Sequence, residues 1–228
     1  MSSRPAPRVH LVTPAIVEQT VARHGVSGVL TQAERNTLDA FPVERRRQDW
    51  LAGRLAAKRA VRELLRAREG HAPLYAAIEI ANEKDGAPHF TVDDRPDLSD
   101  QFNISISHTD GAAVAVAVSA TSGSVGVDVE VMRPMSLAVV RRVLRSSEIA
   151  RLEDDGHAHP SPLALWTAKE AAMKAAHHVC DALCDVELHW IDSHEMRAHV
   201  IGTLPSTHAI IVRHREVGPY TVAVALCQ

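Results

Sequence analysis

The chain has 228 residues, 46% of them apolar and only 4% aromatic, with a formal net charge of −3. That is enough for one large domain or two small ones, with a core packed mostly by Val, Ala and Leu. The near-neutral balance argues against a dedicated nucleic-acid binder, and no apolar run approaches the ~18 residues of a membrane span. Cys180, Cys184 and Cys227 lie at no zinc-like spacing, and Met1 to Arg8 has no apolar signal core, so a reduced, cytoplasmic setting is expected. The 14 histidines are scattered. His157 and His159 read as loop residues and His177-His178 as a helix end, none at ligand spacing.

In chain order, Val9 to Thr13 is a short strand. Thr31-Gln-Ala-Glu34 has the form of a capping box and opens a short helix. Pro42 suits a first helical turn. Behind it the spacing predicts a long helix, Val43 to Arg68, with Trp50, Leu51, Leu55, Val61, Leu64 and Leu65 as the buried face and Gly70 as the stop. Leu74 to Ala81 reads as a strand and Lys84 to Pro88 as a turn. Ile104 to Ser107 and Ala113 to Ser119 alternate like paired strands around Thr109-Asp110-Gly111. Thr121 to Ser124 has linker composition.

The second half opens with a strand, Val125 to Val131. Helices are predicted over Leu137 to Leu144, from Ser146 or Ser147 to Leu152, and from Leu163 to His178, with a polar loop, Glu153 to Pro162, before the last. Three or four strands follow: Val186 to Trp190, Met196 to Ile201, Ala209 to Arg213 and Tyr220 to Leu226. Each half thus runs helices then strands, which predicts two α+β lobes, residues 1–121 and 125–228, without a direct sequence repeat.

The residues suited to chemistry fall in four groups. On the strand Gly126-Val-Asp-Val-Glu130, Asp128 and Glu130 share a face, and two adjacent carboxylates call for a cation, Mg²⁺ by their hard oxygens. Alone, the pair also fits a solvent-facing edge. In Trp166-Thr-Ala-Lys-Glu-Ala-Ala-Met-Lys174, Glu170 and Lys174 share a helix face at i, i+4, as would an ordinary surface ion pair; Lys169 lies about 100° around the helix. On the long helix Arg47, Arg54 and Lys58 form one stripe, widened by Arg45, Arg46, Arg59 and Arg62, either a solvated face or a phosphate grip. Gly53 interrupts that helix and calls for something packed closely against it. Ser107 and His108 end a strand on opposite faces, which argues against a Ser–His relay and suits contacts to phosphate or a base.

Four segments in order, Arg45…Gly53-Arg54-Leu55, Gly86-Ala87-Pro88, Ile104-Ser-Ile-Ser-His108, and Gly126-Val-Asp-Val-Glu130 with Trp166-x-x-Lys-Glu-Ala-x-x-Lys174, resemble the 4′-phosphopantetheinyl transferases of the Sfp type. The resemblance covers about residues 40 to 175. It implies an α+β fold, a pseudo-dimer of two similar α+β lobes with coenzyme A in the cleft between them. The implied reaction moves the 4′-phosphopantetheine arm of coenzyme A to a serine of an apo acyl or peptidyl carrier protein of a fatty-acid, polyketide or non-ribosomal peptide synthase. Adenosine 3′,5′-bisphosphate is the other product. Asp128, Glu130 and Glu170 would then surround Mg²⁺, with Glu170 as the proton acceptor. Lys174 would contact the pyrophosphate, and Ser107 and His108 the phosphate and base region of the nucleotide; Lys169, by its place on the helix, faces either a phosphate or solvent. Arg45 would hold phosphate at the adenosine end, helped by Arg54 and Lys58. The turn departs from the family by carrying Ala87 and Asn82 where basic residues are common, and Lys84 is the nearest substitute.

Arg141, Arg142 and Arg145 could meet an acidic carrier, or simply form a solvated helix end. Two other readings use the same residues: a Mg²⁺-dependent phosphohydrolase, and a non-catalytic module that binds coenzyme A or a carrier. The resemblance further implies a monomer, while charge and hydropathy predict no nucleic-acid or membrane partner.

Overall fold

The structure, a computed structural model, describes residues 7–93, 95–153, 160–176, 180, 182–192, 194–202 and 209–227. His157, His159, His177, His178, most of the Glu153 to Pro162 loop and the expected end of the helix at His178 lie outside the described residues. The chain forms two compact units, Met1–Ser122 and Gly123–Gln228. No helix among the described residues is long and apolar enough to cross a membrane.

In the first unit, β1 (His10–Val12) is followed by α1 (Pro14–Val29), α2 (Gln32–Ala40) and α3 (Glu44–Glu69). Then come β2 (Ile78–Asn82), β3 (Pro88–Val92), β4 (Phe102–Thr109) and β5 (Ala112–Ser119). The antiparallel sheet has the order β1-β5-β4, and β2 and β3 form a separate hairpin. The capping box of α2 is present: Thr31 Oγ1 accepts from the Glu34 N–H while Glu34 accepts from the Thr31 N–H. α3 stops at Gly70, which is left-handed at φ 79 and returns its N–H to Arg66. The β4–β5 register runs from Phe102↔Ser119 to Thr109↔Ala112. It closes through Asp110 (φ 45) and Gly111 (φ 79), the two positive angles that a two-residue hairpin turn requires. Leu55, Val61 and Leu65 of α3 pack with Ile78, Phe90, Phe102 and Ile104 in one core.

Three features of this unit differ from the sequence reading. α1 was not expected, because Gly25 and Gly28 break its pattern; Gly25 (φ 69) kinks the helix, and only Val29 of it is buried. The strand expected over Leu74 to Ala81 begins as a single 3₁₀ turn, Tyr75–Ala77. Pro88 opens a strand rather than ending a turn, a place where its missing N–H breaks no ladder.

In the second unit, β6 (Ser124–Val131) precedes α4 (Leu137–Val143), α5 (Ser146–Leu152) and α6 (Pro162–Ala175). β7 (Val186–Trp190), β8 (Glu195–Val200), β9 (Ile210–Val217) and β10 (Tyr220–Cys227) complete it. The five strands form one antiparallel sheet in the order β6-β10-β9-β8-β7. α6 starts with Pro162 and a Ser161 cap that accepts from the Ala164 N–H at 3.1 Å. Its buried residues are small, with Ala164, Ala168, Ala171, Ala172 and Ala175 against the sheet, so the helix can lie close to the strands.

The units repeat one plan: a strand, two shorter helices, one helix on the sheet, a hairpin, then two strands of which the last pairs with the first. The fold is α+β, built from two similar lobes. The repeat extends to one interior device. Glu34, third residue of α2, accepts from the Ile80 N–H at 3.0 Å and pairs with Lys58 of α3. Glu148, third residue of α5, accepts from the Leu188 N–H at 2.8 Å and pairs with Lys169 of α6 at 2.7 Å.

Candidate active site

Those interior pairs correct two expectations. Lys58 and Lys169 are both 0% exposed. Lys58 donates to Glu34 and to the carbonyls of Val29 and Tyr75 (2.8 and 3.0 Å), which uses all three ammonium protons. Lys169 donates to Glu148 and to the Val186 carbonyl at 2.6 Å. Taking either lysine to a bound phosphate would strand a buried carboxylate, so both are structural ion-pair partners and not ligand contacts. Burial lowers both lysines' pKa, and the paired glutamates oppose the shift.

The acidic motifs of the second unit do meet. Lys174 donates to Asp128 Oδ1 at 2.7 Å and to the Val127 carbonyl at 3.3 Å. Asp128 is only 4% exposed. Burial raises the Glu170 pKa first, then the negative charge of Asp128; Lys174 opposes the shift and Glu130 adds to it. The three carboxylates and Lys174 therefore form one electrostatic cluster. Gly126 makes this possible. A Cβ there would lie 2.0 Å from the Ala171 carbonyl oxygen and 2.6 Å from the Ala175 nitrogen. Only a residue without a side chain lets α6 rest on β6. Gly126, Asp128 and Glu130 alternate onto one strand face, so the close approach brings α6 to the carboxylates.

Among the described residues, no group of three or more His, Cys, Asp or Glu is already gathered to hold a metal. The donor chemistry nevertheless fits a hard divalent cation: the cluster offers oxygen ligands only, and its carboxylates repel one another.

In the first unit the basic residues scatter. A cavity of about 900 Å³ is lined by Arg46, Trp50, Arg54, Asn82, Gly86 and His108 among others. The Arg54 guanidinium lies 4.7 Å over the Trp50 ring and donates to Asn82 Oδ1 at 3.3 Å. Asn82 in turn donates to the Gly86 carbonyl at 3.1 Å. The departing turn residue thus links Arg54 to the Gly-Ala-Pro turn. No carboxylate lies at ion-pair distance from Arg54 among the described residues. Gly53 also lines the cavity, but a Cβ there would meet Ile106 at an ordinary 3.5 Å, so the expected tight packing is not its reason.

Arg45 is exposed and pairs with Asp110 at the hairpin turn. Lys84 is exposed on the β2–β3 turn and His108 is exposed, whereas Ser107 is buried. Arg46 and Trp50, read only as basic surface and as core, are cavity residues. Arg141 and Arg142 are exposed on α4, and Arg145 donates to the Cys184 carbonyl at 2.8 Å.

Comparison with known proteins places the chain in a family. The family model of the 4′-phosphopantetheinyl transferase superfamily matches residues 124–225, the whole span of the acidic cluster. A holo-[acyl-carrier-protein] synthase of Lactococcus lactis is 36% identical over 93 residues, 41% of this chain and 76% of that protein. The chain belongs to the 4′-phosphopantetheinyl transferase superfamily. A second synthase of the same name, from Chlorobaculum parvum, is 43% identical over 68 residues; that match spans 30% of this superfamily member and little more than half, 57%, of the relative. Among solved structures, the Helicobacter pylori holo-[acyl-carrier-protein] synthase in complex with coenzyme A is 22% identical, with a TM-score of 0.36 over 49% of this chain and 96% of that one. A holo-(acyl-carrier-protein) synthase from Bacillus anthracis gives 24% and 0.37, over 49% and 91%.

Proposed function

We propose that the protein transfers 4′-phosphopantetheine from coenzyme A to a serine of an apo carrier protein, as a transferase of the Sfp type. The observation that carries this reading is the cluster of Asp128, Glu130, Glu170 and Lys174, brought together by the close approach of α6 to β6 at Gly126. A pure binding module needs no glutamate gathered beside a buried aspartate that a half-buried lysine pairs with.

The chemistry follows from the parts. The serine hydroxyl oxygen attacks the phosphorus that carries the pantetheine arm. The bond from that phosphorus to the bridging oxygen breaks, and adenosine 3′,5′-bisphosphate leaves with the electron pair. Such a reaction asks the protein for positioning and charge neutralisation more than for covalent help. Glu170 accepts the serine proton, directly or through a water. Lys174 donates to the leaving phosphate oxygen. Asp128, Glu130 and Glu170 would hold Mg²⁺, which neutralises charge on the pyrophosphate oxygens.

For the nucleotide end, the first-unit cavity offers Arg54 and Arg46 to phosphate and the Trp50 side chain as an apolar wall, with His108 at its edge. Arg45 would reach phosphate by exchanging Asp110 for it, and Lys84 and Ser107 are secondary contacts. A groove of about 320 Å³ lined by Met132, Met135, Leu163 and Thr221 suits the pantetheine arm; Thr221 stands opposite Glu130 in the sheet register. Exposed Arg141 and Arg142 suit an acidic helical carrier.

The test is intact-mass analysis of a panel of apo carriers incubated with coenzyme A, Mg²⁺ and the protein. Transfer adds one phosphopantetheine to the serine. Release of inorganic phosphate with no carrier modification would instead identify a phosphohydrolase.

A further inference from the structure

The buried pair of the second unit has a consequence for the site beside it. Lys169 immediately precedes Glu170, about 100° around α6. Its ammonium is held by Glu148 at 2.7 Å and by the Val186 carbonyl at 2.6 Å. Glu148 is itself bound by the backbone N–H groups of Arg145 and Leu188, at 2.7 and 2.8 Å. The anchor is therefore the main chain of α5 and β7, with no exposed flexible link in it.

The rest of the buried face of α6 is mostly alanine, with Leu165 the one larger aliphatic side chain, so it interlocks with the sheet less sharply than an ion pair does. At Gly126 the contact is backbone against backbone, so it fixes how near the helix comes but offers no side chain to stop a turn about the axis. The Lys174 link to Asp128 is made by a side chain 30% exposed, on a stem with four rotatable bonds. We propose that Lys169, locked to Glu148, is a positioning residue: it fixes the rotation of α6 that presents Glu170 to Asp128 and Glu130. This rests on the transfer reading above.

The first unit shows what the lock does alone. Lys58 and Glu34 repeat it in every main feature, including the bond from Glu34 to the hairpin strand. There the following residue is Arg59 rather than a carboxylate, and the lock holds a helix on a sheet with Glu34 also on the cavity wall. In the second unit the same lock carries an acidic neighbour. A rotation of about 10° moves a side-chain tip roughly 6 Å from the axis by about 1 Å, and a 1 Å misplacement can cost about 10²-fold in rate.

The decisive variant is the double replacement Glu148→Gln with Lys169→Met. It removes both charges together, so no lone buried charge remains, and it leaves an amide oxygen for the Leu188 N–H. The expected result is a thermal midpoint near that of the unaltered protein and slow amide exchange across 164–175 without metal. kcat should fall about 10- to 10²-fold, with the KM for coenzyme A changed by less than about twofold. A merely structural role would restore kcat together with stability, and that result overturns the proposal. Should the double variant not fold, Glu148→Asp keeps both charges and shortens the lock by one methylene. A folded Glu148→Asp protein with unchanged kcat overturns the proposal equally, whereas a kcat loss at constant KM supports it. Absence of transfer by the unaltered protein would refute the reaction itself, a different outcome from transfer that ignores the lock.

Discussion

The sharpest mechanical expectation concerns Gly126→Ala. The new Cβ would sit 2.0 Å from the Ala171 carbonyl oxygen and 2.6 Å from the Ala175 nitrogen. Both are backbone atoms of α6, so no side chain can swing aside. An ordinary contact needs about 3.5 Å, so the helix must withdraw from β6 by roughly 1.5 Å or the strand must bend by as much. Overpacking of this kind costs about 1–3 kcal/mol, which lowers the thermal midpoint by roughly 2–12 °C for a chain of this size. The same withdrawal carries Glu170 and Lys174 away from Asp128, and misplacement of that order costs at least about 10²-fold in kcat. The assay is a steady-state transfer rate to an apo carrier, paired with thermal unfolding of the same preparation. A Gly126→Ala protein with an unaltered midpoint and more than half the normal kcat would refute the reasoning.

Further outcomes follow from the charges. Glu170→Gln should lower kcat by about 10²–10⁴-fold, the usual contribution of a general base. It should also stabilise the metal-free protein. Burial and Asp128 raise the folded-state pKa of Glu170 above its unfolded value of about 4.3. Stability from that shift is fully present below the unfolded value and lost as pH rises through the folded one. The thermal midpoint of Glu170→Gln should therefore match the unaltered protein at low pH and exceed it at pH 7 to 8, where a lower midpoint would contradict the electrostatic account. Arg54→Ala removes a charged donor to phosphate, a loss of about 1.5–3 kcal/mol, or roughly 10- to 150-fold in the KM for coenzyme A. kcat should be nearly unchanged, and an unaltered KM would remove Arg54 from the nucleotide site.

Each of the two acidic motifs was legible in sequence because its own geometry is local, whereas their meeting depends on the contact of α6 with Gly126. Period two puts Asp128 and Glu130 on one strand face, and i, i+4 puts Glu170 and Lys174 on one helix face. The long helix was equally readable from its apolar spacing and from Gly70. Lys58 and Lys169 were not, since a lysine among arginines or beside a glutamate reads as surface. Their burial depends on a carboxylate more than 20 residues earlier. One signal was present: each lysine follows a small-residue pair (Ala56-Ala57 and Thr167-Ala168) and each has a Glu third in a short helix before it. Only the recurrence in both halves would have tied these together. The first helix was hidden by Gly25 and Gly28, which interrupt the periodicity that its few core contacts would otherwise impose. Arg46 and Trp50 gave no sign of lining a cavity, because that cavity exists only once α3 and the β2–β3 hairpin are folded together.

The measurement that bears most directly on the proposed function is the mass of an apo acyl or peptidyl carrier protein after incubation with the protein, coenzyme A and Mg²⁺. The account requires a gain of one phosphopantetheine, about 340 Da, on a serine of the carrier, and loss of that gain with Glu170→Gln. A carrier of unchanged mass across fatty-acid, polyketide and non-ribosomal peptide types would contradict it.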